Sequence, residues 1–133
     1  MRLVDYFRGL SDPTRLRIIN LLLNDELCGC EIQRLLGMTQ PLVSRHLVYL
    51  KRSGLVVDRR DGFRVFYRPA KGNRLRDLFN FLRRAFCEQE PFGSDSARMH
   101  AVLAEGGLPG RECKQQPTRA LATEAKLSRR KAQ

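Results

Sequence analysis

The spacing of apolar residues changes after Gly54, and few folds accommodate such a change. Before that point, apolar side chains recur every three or four residues, which is typical of the buried face of a helix. Beyond it, the runs 56–60 and 63–67 alternate with a period of two and flank Asp61-Gly62. Asp-Gly between two alternating runs favours a tight hairpin, because these residues suit a type I′ turn. The sequence therefore predicts a β-hairpin that follows a group of helices.

Helical spacing predicts five helices, at residues 2–10, 13–24, 31–36, 40–52 and 73–89. Pro13 suits the first position of the second helix, where a missing N–H does no harm. Gly37 ends the third helix and begins the turn to the fourth. Two short helices joined by such a turn form a helix-turn-helix, whose second helix lies in the major groove of DNA. The predicted fold is therefore mostly α with a β-hairpin wing (α+β), a winged helix-turn-helix.

The length of 133 residues corresponds to about one domain. Residues 1–90 form the predicted DNA-binding and dimerisation domain. They carry 17 basic and 10 acidic residues of a chain whose net charge is +11, which favours a polyanionic partner. Residues 91–133 are basic and interrupted by Gly and Pro, and we expect a mostly disordered tail with at most a short helix in 95–104.

The polar face of the fourth helix provides candidate DNA contacts. Val43, Leu47 and Leu50 share its apolar face, so Gln, Ser and Arg side chains point outward, and these pair with base edges in the major groove. The residues predicted to contact DNA are Gln40, Ser44, Arg45 and His46 on this helix and Arg59, Arg60 and Arg64 in the hairpin. A packing or capping role for His46 stays open, as do solvated positions for the hairpin arginines.

Cys28 and Cys30 form a second candidate site, since thiolates are ligands for soft ions. Residues two apart on a regular helix point about 200° away from each other. Both sulfurs would then reach one ion only if the start of the helix frayed, which Gly29 makes easy. The alternative is that both are small core residues.

Four segments resemble the ArsR/SmtB family of winged-helix, metal-sensing repressors, in the family's order. They are residues 10–18, 26–32, 40–47 and the Asp61-Gly62 wing. The resemblance implies a homodimeric repressor that binds double-stranded operator DNA without a cofactor and is released when As(III) or Sb(III) binds Cys28 and Cys30. Arsenite sensors of the family often carry a third cysteine where this chain has Gln33. Cys87 or Cys113 is the candidate third ligand, as is a small thiol, whereas an organoarsenical needs only two sulfurs.

The fifth helix carries an apolar stripe that we predict to be a dimer interface, paired with the first helix. The stripe consists of Leu75, Leu78, Phe79, Leu82 and Phe86. The rival interpretation is a helix that packs on the chain's own core.

Other functions are less well supported by the residues. A zinc or cadmium site needs about four ligands, and the fifth helix has no histidine. A disulfide between Cys28 and Cys30 would close a small, strained ring, which disfavours thiol oxidation as the signal. We predict that the chain is not an enzyme, because Cys-x-Cys lacks a phosphate-binding loop and a partner base. The N-terminal segment carries charges and no long apolar run, so a cytoplasmic protein that does not enter a membrane is expected.

Overall fold

The computed structural model describes residues 2–105 of the chain. The elements of this part are, in order, α1 (Arg2–Leu10), α2 (Pro13–Asn24), β1 (Leu27–Cys28), α3 (Gly29–Leu36), α4 (Gln40–Arg52), β2 (Val56–Asp61), β3 (Arg64–Pro69), α5 (Asn73–Cys87) and α6 (Phe92–Ala104). The five predicted helices and the hairpin are present, and the winged helix-turn-helix fold is confirmed.

The local signals that begin and end these elements act as their chemistry predicts. The carboxylate of Asp12 caps α2, accepting hydrogen bonds from the backbone N–H groups of Thr14 and Arg15 at 2.8 and 3.1 Å. Gly37 ends α3 in the left-handed conformation, with φ of 66°. Gly62 adopts a φ of 67° in the hairpin turn, where a side chain would be strained.

The three strands form an antiparallel sheet in the order β1-β3-β2. β2 and β3 are the predicted hairpin, with Asp61 paired to Arg64 at its tip. β1 was not predicted, because two residues are too few to show an alternating pattern. It pairs Leu27 with Tyr67 and Cys28 with Phe66, and so joins the middle of β3 to the start of α3.

The core lies between α2, the helix-turn-helix and α5. Ile18 and Ile19 of α2, Ile32 of α3 and Leu50 of α4 have no exposed surface. Burial of each such side chain is worth about 1.5–3 kcal/mol. α4 is therefore held to the domain by its apolar face, which leaves its polar face toward solvent.

The apolar stripe of α5 faces the chain's own core. Leu75, Phe79, Leu82 and Phe86 are buried within the chain, and Leu78 packs partly buried against the same cluster. The prediction that these residues form a dimer interface is therefore wrong for the four buried ones. Their periodicity marked a buried face correctly but did not indicate which surface buries it.

The domain does not end at residue 90, because α6 packs on α2, α3 and α5. Met99 is fully buried, and the carboxylate of Asp95 receives two hydrogen bonds from the guanidinium of Arg17, at 2.8 and 3.0 Å. The buried amide of Asn20 donates to the carbonyl of Phe92 at 3.0 Å. The short helix that the sequence allowed in 95–104 is present and begins at Phe92, but the expected boundary at residue 90 did not anticipate its packing on the core. The predicted tail beyond residue 105 lies outside the described residues.

Candidate thiolate site and nucleic-acid interface

The two cysteines of the Cys-x-Cys motif lie together at the start of α3. Cys28 ends β1 in an extended conformation, with φ of −91° and ψ of 167°, and Cys30 lies in the first turn of the helix. Because Cys28 precedes the helix, the two side chains are not separated by the helical rotation, and their sulfurs stand 3.3 Å apart. Neither cysteine is in a disulfide. The expectation that the helix must fray to bring the sulfurs together is therefore wrong.

Arg64 lies against this pair of sulfurs. Its Nη2 donates to Sγ of Cys28 at 2.6 Å and to Sγ of Cys30 at 2.8 Å. The sheet explains the contact: Cys28 is paired with Phe66, and Arg64 is two residues before Phe66, on the same face of β3. Arg64 is buried at 9% exposure, so the prediction that it contacts DNA is wrong.

The pair shares its protons unequally. The hydrogen bond from Cys28, together with the positive charge of Arg64, lowers the pKa of Cys30 to about 6 against the opposing effect of burial. The pKa of Cys28 is raised, first by the hydrogen bond to Cys30 and then by burial. At neutral pH the pair therefore consists of a Cys30 thiolate and a Cys28 thiol. A thiolate is the form that binds soft ions and attacks electrophiles.

A cavity of about 350 Å³ opens beside the two sulfurs. Its walls are the start of α3, the N-terminal half of α4 and the tip of the hairpin. The lining residues are Cys28, Gly29, Cys30, Gln40, Val43, Ser44, Leu47, Phe63, Arg64, Val65 and Tyr67. The sulfur pair and the exposed face of α4 thus border one cleft, a relation that sequence spacing did not reveal.

The structure does not add a third sulfur to the pair. Cys87 lies exposed at the end of α5, and Cys113 is outside the described residues. Within residues 2–105, no group of three or more His, Cys, Asp or Glu side chains is placed to hold a metal ion. The described part of the chain therefore offers two thiol ligands at this site.

α4 presents the polar face expected of a recognition helix. Gln40, Ser44 and Arg45 are exposed. His46 is only partly exposed, and its Nδ1 lies 3.5 Å from the guanidinium of Arg15. This contact favours the packing role that the sequence left open for His46.

The hairpin arginines occupy three different environments. Arg60 is exposed near the tip. Arg59 forms two hydrogen bonds with the carboxylate of Glu26, at 2.7 and 2.8 Å, and lies over the ring of Phe66. Arg64 is buried on the sulfurs. Arg60 therefore remains the best-placed hairpin arginine for a phosphate contact.

Fold and site together define a class of protein. The described chain is a winged helix-turn-helix domain whose recognition helix borders a pair of thiols, and none of its described helices is both long and apolar enough to cross a membrane.

Comparison with known proteins identifies the family. Residues 12–57 match the model described as "Bacterial regulatory protein, arsR family". The chain is 32% identical to the homodimeric winged helix-turn-helix DNA-binding domain of a possible ArsR-family transcriptional regulator from Mycobacterium bovis, with a TM-score of 0.58. That match covers 63% of this chain and 77% of the other. The chain belongs to the ArsR family of bacterial regulatory proteins.

Two curated relatives are regulators of arsenic resistance. The arsenic resistance transcriptional regulator ArsR2 of Pseudomonas putida is 46% identical over 65 residues, or 48% of this chain and 56% of the relative. The arsenical resistance operon repressor of Escherichia coli is 46% identical over 67 residues, or 49% and 56%. The chain thus spans about half the length of these relatives.

Proposed function

We propose that this protein is a transcriptional repressor that binds operator DNA as a dimer and leaves it when trivalent arsenic or antimony binds Cys28 and Cys30. The observation that carries the proposal is the pair of sulfurs, 3.3 Å apart, in a cleft shared with the recognition helix. The relatives named for arsenic resistance support this choice of ligand, and one of them is named as a repressor.

The separation of the sulfurs fits a single soft ion. Two sulfurs that each lie about 2.3 Å from one ion, the length of a zinc–thiolate bond, stand roughly 3.3–3.8 Å apart for bond angles of about 90–110°. The distance between Sγ of Cys28 and Sγ of Cys30 is 3.3 Å. The pair is therefore close to the geometry of the bound state before any ligand arrives.

The protonation of the pair suits reaction with arsenous acid. The thiolate of Cys30 and the thiol of Cys28 replace two hydroxyl groups on arsenic. Two S–As bonds form, two As–O bonds break, and one water and one hydroxide leave, so the oxidation state of arsenic does not change. The thiolate of Cys30 supplies the first nucleophile without the loss of a further proton.

The DNA-binding part of the proposal rests on the exposed face of α4. Gln40, Ser44 and Arg45 would face base edges in the major groove, and Arg60 in the hairpin would reach a phosphate or a flanking minor groove. Gln40 and Ser44 also line the cavity beside the cysteines. A ligand at the sulfurs would therefore act directly on the helix that reads the operator. Thermodynamic linkage then requires DNA to weaken ligand binding by the same factor.

The dimer contact is better placed on side chains that the fold leaves exposed. Leu3 and Phe7 of α1 and Phe81 of α5 are each more than half exposed, and Val4 is 41% exposed. Large exposed apolar side chains on adjacent helical turns mark surfaces that bind a partner. The homodimeric state of the Mycobacterium bovis domain supports a second copy of this chain as that partner.

The test is a DNA-binding assay on the full chain, with an operator duplex selected from random sequence by the wild-type protein. Arsenite should release the wild-type protein. Cys28→Ser and Cys30→Ser should bind DNA and respond weakly or not at all, whereas Cys87→Ser, the matched control, should respond like the wild type. Full release of the Cys28→Ser/Cys30→Ser double variant by arsenite would contradict the proposal.

A second candidate ligand, an organoarsenical, is favoured by the cavity. An arsenic atom that carries one carbon substituent needs two sulfurs, and the described chain offers two here. Val43, Leu47 and Val65 give the 350 Å³ cavity apolar walls next to the sulfurs, where a substituent would lie. Release at lower concentrations of phenylarsenite than of arsenite would favour this candidate, and release by arsenite alone would exclude it.

A further inference from the structure

Two ionic contacts hold the hairpin against the segment that leads into α3. In the middle of the hairpin, Arg59 of β2 donates two hydrogen bonds to the carboxylate of Glu26. Nearer the tip, Arg64 of β3 donates hydrogen bonds to the sulfurs of Cys28 and Cys30. The first contact does not involve the cysteines, whereas the second is made to their two sulfurs.

We propose that Arg64 is the positioning residue that couples ligand binding at the cysteine pair to the position of the wing, the hairpin of β2 and β3. In the unliganded protein its guanidinium ties the hairpin to β1 and α3 through the two sulfurs, and ligand binding at those sulfurs loosens the tie. The inference rests on the proposed function and adds to it the residue that couples the two sites.

The chemistry of the sulfurs explains why the contact is conditional. Nη2 of Arg64 donates to both sulfurs, at 2.6 and 2.8 Å. When the two sulfurs form S–As bonds, with release of one water and one hydroxide, each gives electron density to arsenic and becomes a weak, thioether-like acceptor. The two hydrogen bonds from Arg64 are thereby weakened, and the guanidinium is released from the sulfurs.

Arg64 lies beside the hairpin turn, so its movement would shift the tip of the hairpin. Arg64 is the first residue of β3 and pairs across the hairpin with Asp61, so it borders the turn. The next side chain toward the tip, Phe63, is 65% exposed and lines the cavity opposite Ser44 of the recognition helix. Displacement of Arg64 therefore changes the position of the wing relative to α4.

The experiment compares three full-length variants for operator affinity with and without arsenite. Arg64→Gln removes the charge, Arg64→Lys keeps it, and Glu26→Gln weakens the neighbouring contact that does not involve sulfur. Titration of free thiols verifies that arsenite still occupies the cysteine pair in each variant. Hydrogen exchange of the hairpin, measured by mass spectrometry without DNA, reports the wing directly, and circular dichroism verifies folding.

In the wild type, arsenite should weaken DNA binding by a factor in the usual allosteric range of about 5–150 and speed hydrogen exchange at the hairpin tip. In Arg64→Gln the factor should fall to within about twofold of unity with the thiols still occupied, and hairpin exchange should be fast with or without arsenite. Arg64→Lys should recover part of the factor, and Glu26→Gln should keep the wild-type factor.

Three results would overturn the inference, and they are distinguishable. An Arg64→Gln variant that binds arsenite and loses DNA by the wild-type factor would refute the role of Arg64 and leave the proposed function standing. A wild-type protein that does not lose DNA in arsenite would refute both. If Arg64→Gln fails to fold, the test uses Arg64→Lys and the hydrogen exchange of the hairpin in the wild type. Hydrogen exchange that does not change when arsenite binds would contradict release of the wing.

Discussion

Removal of α6 should destabilise the domain strongly. A chain that ends after Glu90 keeps every element of the winged helix but loses the helix that covers α2, α3 and α5. The loss exposes the face on which Met99 and Phe92 are buried. It also leaves Arg17 without the carboxylate of Asp95, which is 1% exposed.

The magnitude follows from the two apolar side chains. Full burial of a Met or Phe side chain contributes about 1.5–3 kcal/mol, so Met99 and Phe92 together contribute about 3–6 kcal/mol. The ring of Phe92 also packs on Phe86, with 4.4 Å between the ring centroids. A domain of this size has a free energy of unfolding of about 5–15 kcal/mol. The truncation should therefore remove a large fraction of the stability.

The assay is urea denaturation followed by far-ultraviolet circular dichroism, on chains 1–90 and 1–105. The shorter chain should lose about 3–6 kcal/mol of unfolding free energy relative to the longer one. Met99→Ala in the full chain should by itself lose about 2–5 kcal/mol, since the side chain has no exposed surface.

Equal stability of the two chains, to within about 1 kcal/mol, would refute the reasoning. It would mean that α6 adds nothing to the core and that the domain ends at residue 90 after all. A loss in Met99→Ala without a loss in the truncated chain would be inconsistent with burial of Met99 as the source of the effect.

Three further predictions concern reactivity, backbone conformation and DNA contact. The hydrogen bond from Cys28 lowers the pKa of Cys30 to about 6, so the rate of alkylation of Cys30 by iodoacetamide should rise with pH around that value. Cys28→Ala removes this hydrogen bond and should move the midpoint of the rate profile to higher pH. Gly37→Ala should cost about 1–2 kcal/mol in urea denaturation, because its φ of 66° is strained for any side chain, and no loss would argue against the left-handed turn. Arg60→Ala should reduce the slope of log Kd against log salt concentration by about one, and an unchanged slope would show that Arg60 makes no phosphate contact.

The elements that depend on short-range patterns could be predicted from the sequence. Asp12 and Pro13 predict the start of α2, Gly37 predicts the turn between the two helices of the helix-turn-helix, and Asp61-Gly62 predicts the hairpin. Each of these signals acts through the conformation of one or two residues and needs no knowledge of distant contacts. The exposed face of α4 follows in the same way from the periodicity of its apolar residues.

The candidate site was predicted by residue type but not by geometry. Cys-x-Cys identified a thiol pair, yet the assumption of a regular helix placed the two sulfurs on different sides. The extended conformation of Cys28 comes from its pairing with Phe66 in the sheet, a contact across 38 positions that short-range spacing does not show.

The sequence by itself thus determined the order of helices and strands, the polar face of the recognition helix and the presence of soft ligands, because each depends on local chemistry. The tertiary structure decided which surface each apolar stripe covers, and it turned the face of α5 and the helix α6 inward to the core. It also decided that Arg64 meets the sulfurs instead of solvent. These outcomes depend on which segments are in contact in the folded chain. At the site, the antiparallel register between β1 and β3 places Arg64 beside the two cysteines.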